Sequence, residues 1–176
     1  MAHMVFVPMT WDEAVAMRSG TAASCYQACA ATPGLIASME ADTRIEEAEY
    51  AALSYAGVLA LVLKAGLPRL VAAADVQPSQ LTDLGGPLGE VEVRGLTWDQ
   101  VRAIFGDESA AAGATRLASD AVAGETLAAA LEAIEVEGVL DGHDLLWFAP
   151  EELDQLTPHS EGGHGVRGNS RTDQAD

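Results

Sequence analysis

Two groups of residues in this sequence have types and spacings that chemistry could use. Glu46, Glu49 and Tyr50 stand at i, i+3 and i+4, so on a helix they share one face. Carboxylates held that close can bind Mg²⁺ or divide the roles of acid and base. The competing reading, which we prefer, is that acids at a helix start complement the positive end of its dipole. His143-Asp144 forms the second group, just ahead of the apolar run Leu145-Leu146-Trp147-Phe148. Loops deliver polar groups to the end of a sheet at such places. Imidazole is a common metal ligand, and a neighbouring carboxylate raises its pKa. A His-Asp pair also belongs to the signature of metal-dependent phosphohydrolases, but that signature needs another upstream His. The remaining histidines, His3, His159 and His164, fall at the start and in the tail. A structural turn is therefore the preferred role for this pair. Asp75, at the end of an alanine-rich run, could add a third carboxylate at a sheet end, or simply form a turn before Pro78.

These six residues make up the candidate ligand site. No catalytic residue, metal or cofactor is assigned. Cys25 and Cys29 would lie about 13 Å apart in a strand, beyond disulfide reach. Two reduced, buried thiols in a cytosolic protein are expected, since a metal pair lacks further Cys or His ligands nearby. The sequence has no Gly-x-Ser-x-Gly elbow, Walker loop, dinucleotide fingerprint or CxxC pair.

The elements that must position these residues can be read locally. Val5-Phe6-Val7 suggests a first strand. Thr10-Trp11-Asp12-Glu13, Thr43-Arg44-Ile45-Glu46 and Thr97-Trp98-Asp99-Gln100 have the spacing of capping boxes. Residues 23–31 alternate and are read as strand, and Thr32-Pro33 should open a short helix. The main helix is expected over 43–65, apolar on nearly every side from Tyr50 and closed by Lys64, Gly66 and Pro68. At Tyr50 to Leu63 its apolar stretch is too short to span a membrane. Strands follow at Leu70 to Val76 and Glu90 to Arg94, separated by a glycine-rich loop at 84–89. Residues 101–105 are ambiguous between helix and strand. Helices are expected over 109–119 and 125–135, with Gly138 and Asp141-Gly142 as breaks. A last strand at 145–148 and a short helix opened by Pro150 close the sequence. Val-x-Val followed by Thr-Trp-Asp occurs at 5–12 and again at 91–99, which suggests an internal duplication with halves 4–84 and 90–156.

The chain of 176 residues carries a formal charge of −18, with 49% hydrophobic and 5% aromatic residues. That apolar fraction excludes a wholly disordered acidic chain. The charge argues against sequence-independent nucleic-acid binding and against anionic membranes. It is concentrated in residues 85–156, which hold 15 acids and 3 bases. Met1-Ala2-His3 reads as an expression scar ahead of Met4, with no signal peptide. Residues 157–176 have almost no apolar side chains and are expected to be disordered.

Four stretches resemble a family of small acidic actinobacterial proteins of unknown function: Val5-Phe6-Val7-Pro8, Glu46-Glu47-Ala48-Glu49-Tyr50-Ala51-Ala52-Leu53, Leu70-Val71-Ala72-Ala73-Ala74-Asp75 and Gly142-His143-Asp144-Leu145-Leu146-Trp147-Phe148. The resemblance spans about residues 4–156. It implies a cytosolic actinobacterial protein and brings no activity with it.

The expectation is thus one α+β domain over 4–156, with a mixed sheet of four to six strands and helix 43–65 buried against it. Its leading role is that of a non-enzymatic binding or regulatory module that self-associates. The alternatives are a metal-assisted enzyme using Glu46, Glu49, Asp75, His143 and Asp144, and a DNA mimic that presents the acids of 85–156 to a basic protein partner.

Overall fold

The computed structural model describes residues 2–156. Met1 and the segment 157–176, with the disorder expected for it, lie outside the described residues.

Strand β1 (His3–Pro8) alternates sides, sending Val5 and Val7 to one face of the sheet and Phe6 to the other. Helix α1 (Trp11–Arg18) follows on a complete capping box. The Glu13 N–H donates to Thr10 Oγ1 at 3.0 Å, and the Thr10 N–H donates to Glu13 Oε2 at 2.7 Å. Strand β2 (Cys25–Ala30) and helix α2 (Pro33–Ser38), capped by Thr32, lie where the sequence places them. Helix α3 (Ile45–Leu63) starts later than expected, with Arg44 as its N-cap in place of Thr43. Glu47, three residues on, accepts from the Arg44 N–H at 3.2 Å, and that reach fixes the start.

Strands β3 (Leu70–Val76), β4 (Leu81–Asp83), β5 (Glu90–Arg94), β6 (Val101–Gly106) and β7 (Leu146–Phe148) complete one sheet. Its order is β4-β5-β2-β1-β3-β6-β7, and every pairing is antiparallel. Two expectations are corrected here. The sheet has seven strands rather than four to six: the strand expected at 145–148 forms as β7, whereas β4 is a three-residue edge too short to show alternation. It is antiparallel rather than mixed. Helical connections usually join parallel neighbours, but the α2–α3 connection carries the chain from one side of β1 to the other, so β2 and β3 both oppose β1.

The ambiguous residues 101–105 belong to β6. Helix α4 (Ala112–Val122) begins after a 3₁₀ turn at Ser109–Ala111. The single helix expected over 125–135 is two, α5 (Leu127–Leu131) and α6 (Ile134–Gly142), divided at Ala133, whose backbone is extended. α6 runs through Gly138, an expected break, where a Cβ would meet open space. Nor does the Thr-Trp-Asp repeat correspond to a repeat of structure. Trp11 starts an eight-residue helix, whereas Trp98 starts the 3₁₀ turn Trp98–Gln100, which leads straight into a strand. The sheet also interleaves the two stretches, with β5 lying between β4 and β2.

Each face of the sheet has its own core. One face packs Val5, Val7, Tyr26, Val91, Val93 and Ile104 under α1 and the 3₁₀ segment Pro150–Leu156, which supplies the buried Leu153. The other packs Phe6, Cys29, Val71 and Ala73 under α2 to α6. No helix among the described residues is long and apolar enough to cross a membrane.

Two glycines with opposite surroundings test this packing. A Cβ on Gly34 in α2 would stand 2.2 Å from the Gly86 carbonyl oxygen, whereas a Cβ on Gly113 in α4 would meet nothing. Gly34→Ala is expected to cost about 1–3 kcal/mol from overpacking, and Gly113→Ala to stabilise by about 0.5–1 kcal/mol through helix propensity. Urea denaturation midpoints check both, and a neutral Gly34→Ala would contradict the contact.

Candidate functional site

The six candidate residues are dispersed. Glu46 and Tyr50 lie on the outer side of α3 near its start, Tyr50 being 66% exposed. Asp75 is bound by Arg102, whose Nε stands 2.9 Å from its Oδ2. His143 Nδ1 stands 3.3 Å from Glu108 Oε1, and Asp144 is exposed. Among the described residues no hydrogen bond or ion pair joins any two of the six, and no three His, Cys, Asp or Glu could hold one metal ion. The acids of 85–156 occupy both layers. Asp120, Glu132, Glu135 and Glu137 are on α4 to α6 or the turn between α5 and α6, while Glu151, Glu152 and Asp154 are on the opposite face. They do not form a single phosphate-like row.

Of the six, Glu49 lines a cleft. Its volume is about 590 Å³, and it opens where β1 begins, β2 ends and α2 and α3 start. Met4, Ile36, Ile45 and Leu81 give it apolar walls, and Glu49 and Asp83 bring two carboxylates. Asp83 Oδ1 accepts from the Gly85 N–H at 2.8 Å, which fixes its position at the rim. Sequence reasoning missed Asp83, Ile36 and Ile45. They come from separate elements, and no local spacing links them.

The cleft exists because the centre of the sheet is thinly paired. β1 and β2 oppose each other only at Val5–Ala30 and Phe6–Cys29. Pro8 offers no N–H at one end, and at the other Thr32-Pro33 turns the chain into α2. A smaller cleft of about 240 Å³ opens at the Pro8 end, lined by Cys25, Gln27 and the ion pair between Lys64 and Glu13 (2.7 Å).

The cysteines are poor nucleophiles. Burial pushes the Cys29 thiol up to about 12, with the Glu90 carboxylate adding to the effect. Cys25 is raised by burial first and then by its hydrogen bond to Glu92. That thiol contact, followed by Arg94, lowers the Glu92 carboxyl in turn. Both shifts keep the thiols protonated at neutral pH, opposite to what a reactive cysteine requires.

A buried ion pair was also not anticipated. Arg69 and Asp107 are each 2% exposed at the side chain, with Arg69 Nη2 2.7 Å from Asp107 Oδ1 and Nε 2.9 Å from the same oxygen. Asp107 Oδ2 accepts from the Arg69 N–H at 2.7 Å and from the Thr115 hydroxyl at 3.2 Å. Arg69 Nη2 also donates to the His143 carbonyl at 2.7 Å. The pair ties the start of β3 and the end of β6 to α4 and to the loop before β7. Both side chains find their partners within the protein, which makes the pair a structural clamp. His143 serves it through its backbone.

A family model described as a family of unknown function (DUF6912) matches residues 3–157. The chain belongs to that family. No curated protein and no solved structure matches it.

Two outcomes follow from the buried groups. Asp107→Leu leaves a guanidinium buried without its partner and is expected to cost about 3–5 kcal/mol, while Arg69→Met with Asp107→Leu recovers much of that loss. Thermal unfolding of the three chains measures it. In the native state at pH 8, a disulfide reagent is expected to leave Cys29 unmodified until denaturant is added. Rapid native-state labelling of Cys29 would contradict its burial.

Proposed function

We propose that this member of the family is a binding module rather than an enzyme, and that its cleft receives a group joining an apolar body to a positive charge. The observation that carries this reading is the cleft of about 590 Å³ in which Glu49 and Asp83 stand among Met4, Ile36, Ile45 and Leu81. Its volume falls in the range of ordinary ligand sites, about 300–1,000 Å³, and apolar walls with a few convergent polar groups are their usual make-up. Carboxylates at the rim of a chain with net charge −18 favour cations and repel anions. Ala2 and His3 also line the cleft. The reading rests on the residues from Met4 onward.

An enzymatic reading has less support. The Glu46, Glu49, Asp75, His143 and Asp144 side chains would have to meet for metal-assisted chemistry, and among the described residues no hydrogen bond or ion pair joins any two of them. DNA mimicry requires acids in one row and is disfavoured by their placement on both layers.

The test uses two probes with the same apolar tail and opposite charge, n-hexylguanidinium and hexanoate, titrated into the ¹⁵N-labelled chain. Hexylguanidinium is expected to shift the amides of Ile36, Glu49 and Leu81 saturably, while hexanoate does not. Glu49→Gln should weaken that binding about tenfold, the worth of one charge-assisted hydrogen bond. Equal binding of the two probes, or shifts confined to other surfaces, would overturn the reading.

A further inference from the structure

The sheet has two edges, and they are finished differently. Edge strand β4 reads Leu81-Thr82-Asp83. Its leucine packs against the first core and its aspartate ends the strand in charge. Natural edges are usually blunted in such ways, because an open edge is a template for another strand. Edge strand β7 reads Leu146-Trp147-Phe148, with no charge and no proline within it. Among the described residues, β7 pairs with β6 on one side and is the last strand of the order on the other. Phe148 turns into the first core, but Leu146 is 44% exposed and Trp147 60% exposed.

The segments that flank this edge in sequence carry one sign of charge. Asp141, Asp144 and Glu151 flank it and are exposed. No lysine or arginine occurs in the sequence between Arg116 and Arg167. An open apolar strand in an acidic frame fits an extended segment that alternates basic and apolar side chains. The segment's main chain would extend the sheet. A basic side chain could lie over the Trp147 ring, an arrangement worth about 0.5–1 kcal/mol at an exposed site, and others could reach Asp144 and Glu151. This is strand addition, in which backbone pairing supplies affinity and flanking side chains supply selectivity.

We infer that β7 is a docking edge for a basic, extended segment of a partner protein. The surface is separate from the cleft of the proposed function, which involves β4 at the opposite edge. A second copy of this chain fits less well. It would bring another −18 to the contact, and a three-residue edge cannot approach the roughly 1,200–2,000 Å² that stable interfaces bury.

The experiment titrates the peptide acetyl-Lys-Val-Arg-Val-Lys-Val-amide into the ¹⁵N-labelled full chain at low salt. The amides of 145–149 and the Trp147 indole N–H are expected to shift saturably, and the affinity to fall as salt is added. Two further copies of the peptide carry N-methyl groups on alternate backbone amides, one set each. One of them should bind at least tenfold more weakly, because its outward donors are removed while its side chains are kept. Asp144→Asn with Glu151→Gln should weaken the parent peptide severalfold and leave the thermal midpoint unchanged. The inference is overturned if the peptide does not bind, if its shifts fall at Ile36 and Glu49, or if both N-methylated copies bind like the parent. It is equally overturned if sedimentation shows a dimer that Trp147→Glu dissociates, which would make the occupant a second copy. Contacts between residues 157–176 and Trp147 in the peptide-free chain would make the occupant this chain's own tail.

Discussion

The whole arrangement depends on how α3 crosses the junction of β1 and β2. These strands lie next to each other inside the sheet, yet they oppose each other at only two positions. Two ladder positions hold a sheet together poorly, so another element must bridge the junction. α3 does so with Ala48, Ala52 and Ala56, spaced four apart and fully buried. Small side chains along one stripe let the helix approach the strands closely, and Phe6 and Cys29 fill the space beneath. Farther along, Leu59 and Leu61 are buried. Truncating a leucine at such a position to alanine generally costs about 2–5 kcal/mol. Where the strands part beyond the helix's cover, the two clefts open. The larger cleft is therefore a consequence of the junction and needs no further distortion of the backbone.

This dependence explains what could and could not be read from the sequence. The start of α1, the strand at Cys25–Ala30 and the helix start at Thr32-Pro33 were legible, because each is decided by side chains within a few residues of one another. α3 was legible for the same reason, apart from its first turn. There two candidate caps compete, and Glu47 rather than Glu46 reaches back. The sheet was less legible. Its order depends on which strand lies beside which, and β4, the strand not foreseen, is defined by its pairing with β5. Gly138 was misread as a break, since its tolerance depends on the open space around it.

The site was the least legible part. Charged residues at helix starts and before strands draw attention in a sequence, and here each has a local explanation. Glu47 caps α3, Asp75 binds Arg102, and His143 offers its carbonyl to Arg69. Asp83 sits in a loop-like run and gives no signal of its own, though it shares a cleft with Glu49 from another element. The Arg69–Asp107 pair is a similar case. Both residues follow turn-forming neighbours, Pro68 and Gly106, and read as loop charges until the fold encloses them.

Polar groups that are already satisfied differ in use from those that are not. Among the described residues no buried side-chain nitrogen or oxygen lacks a hydrogen-bond partner. A protein that holds a small polar ligand deep inside keeps donors and acceptors in place for it, and those would stand unpaired without the ligand. None does so here among the described residues, and the side chains of the two proposed surfaces, Glu49, Asp83 and Trp147, are at least partly open to solvent. Interactions of exposed charges are screened by salt over about 8–10 Å at physiological ionic strength and are individually weak. Binding built from them forms fast under electrostatic steering and releases readily. Reversible association with a cationic partner, as proposed, suits such groups.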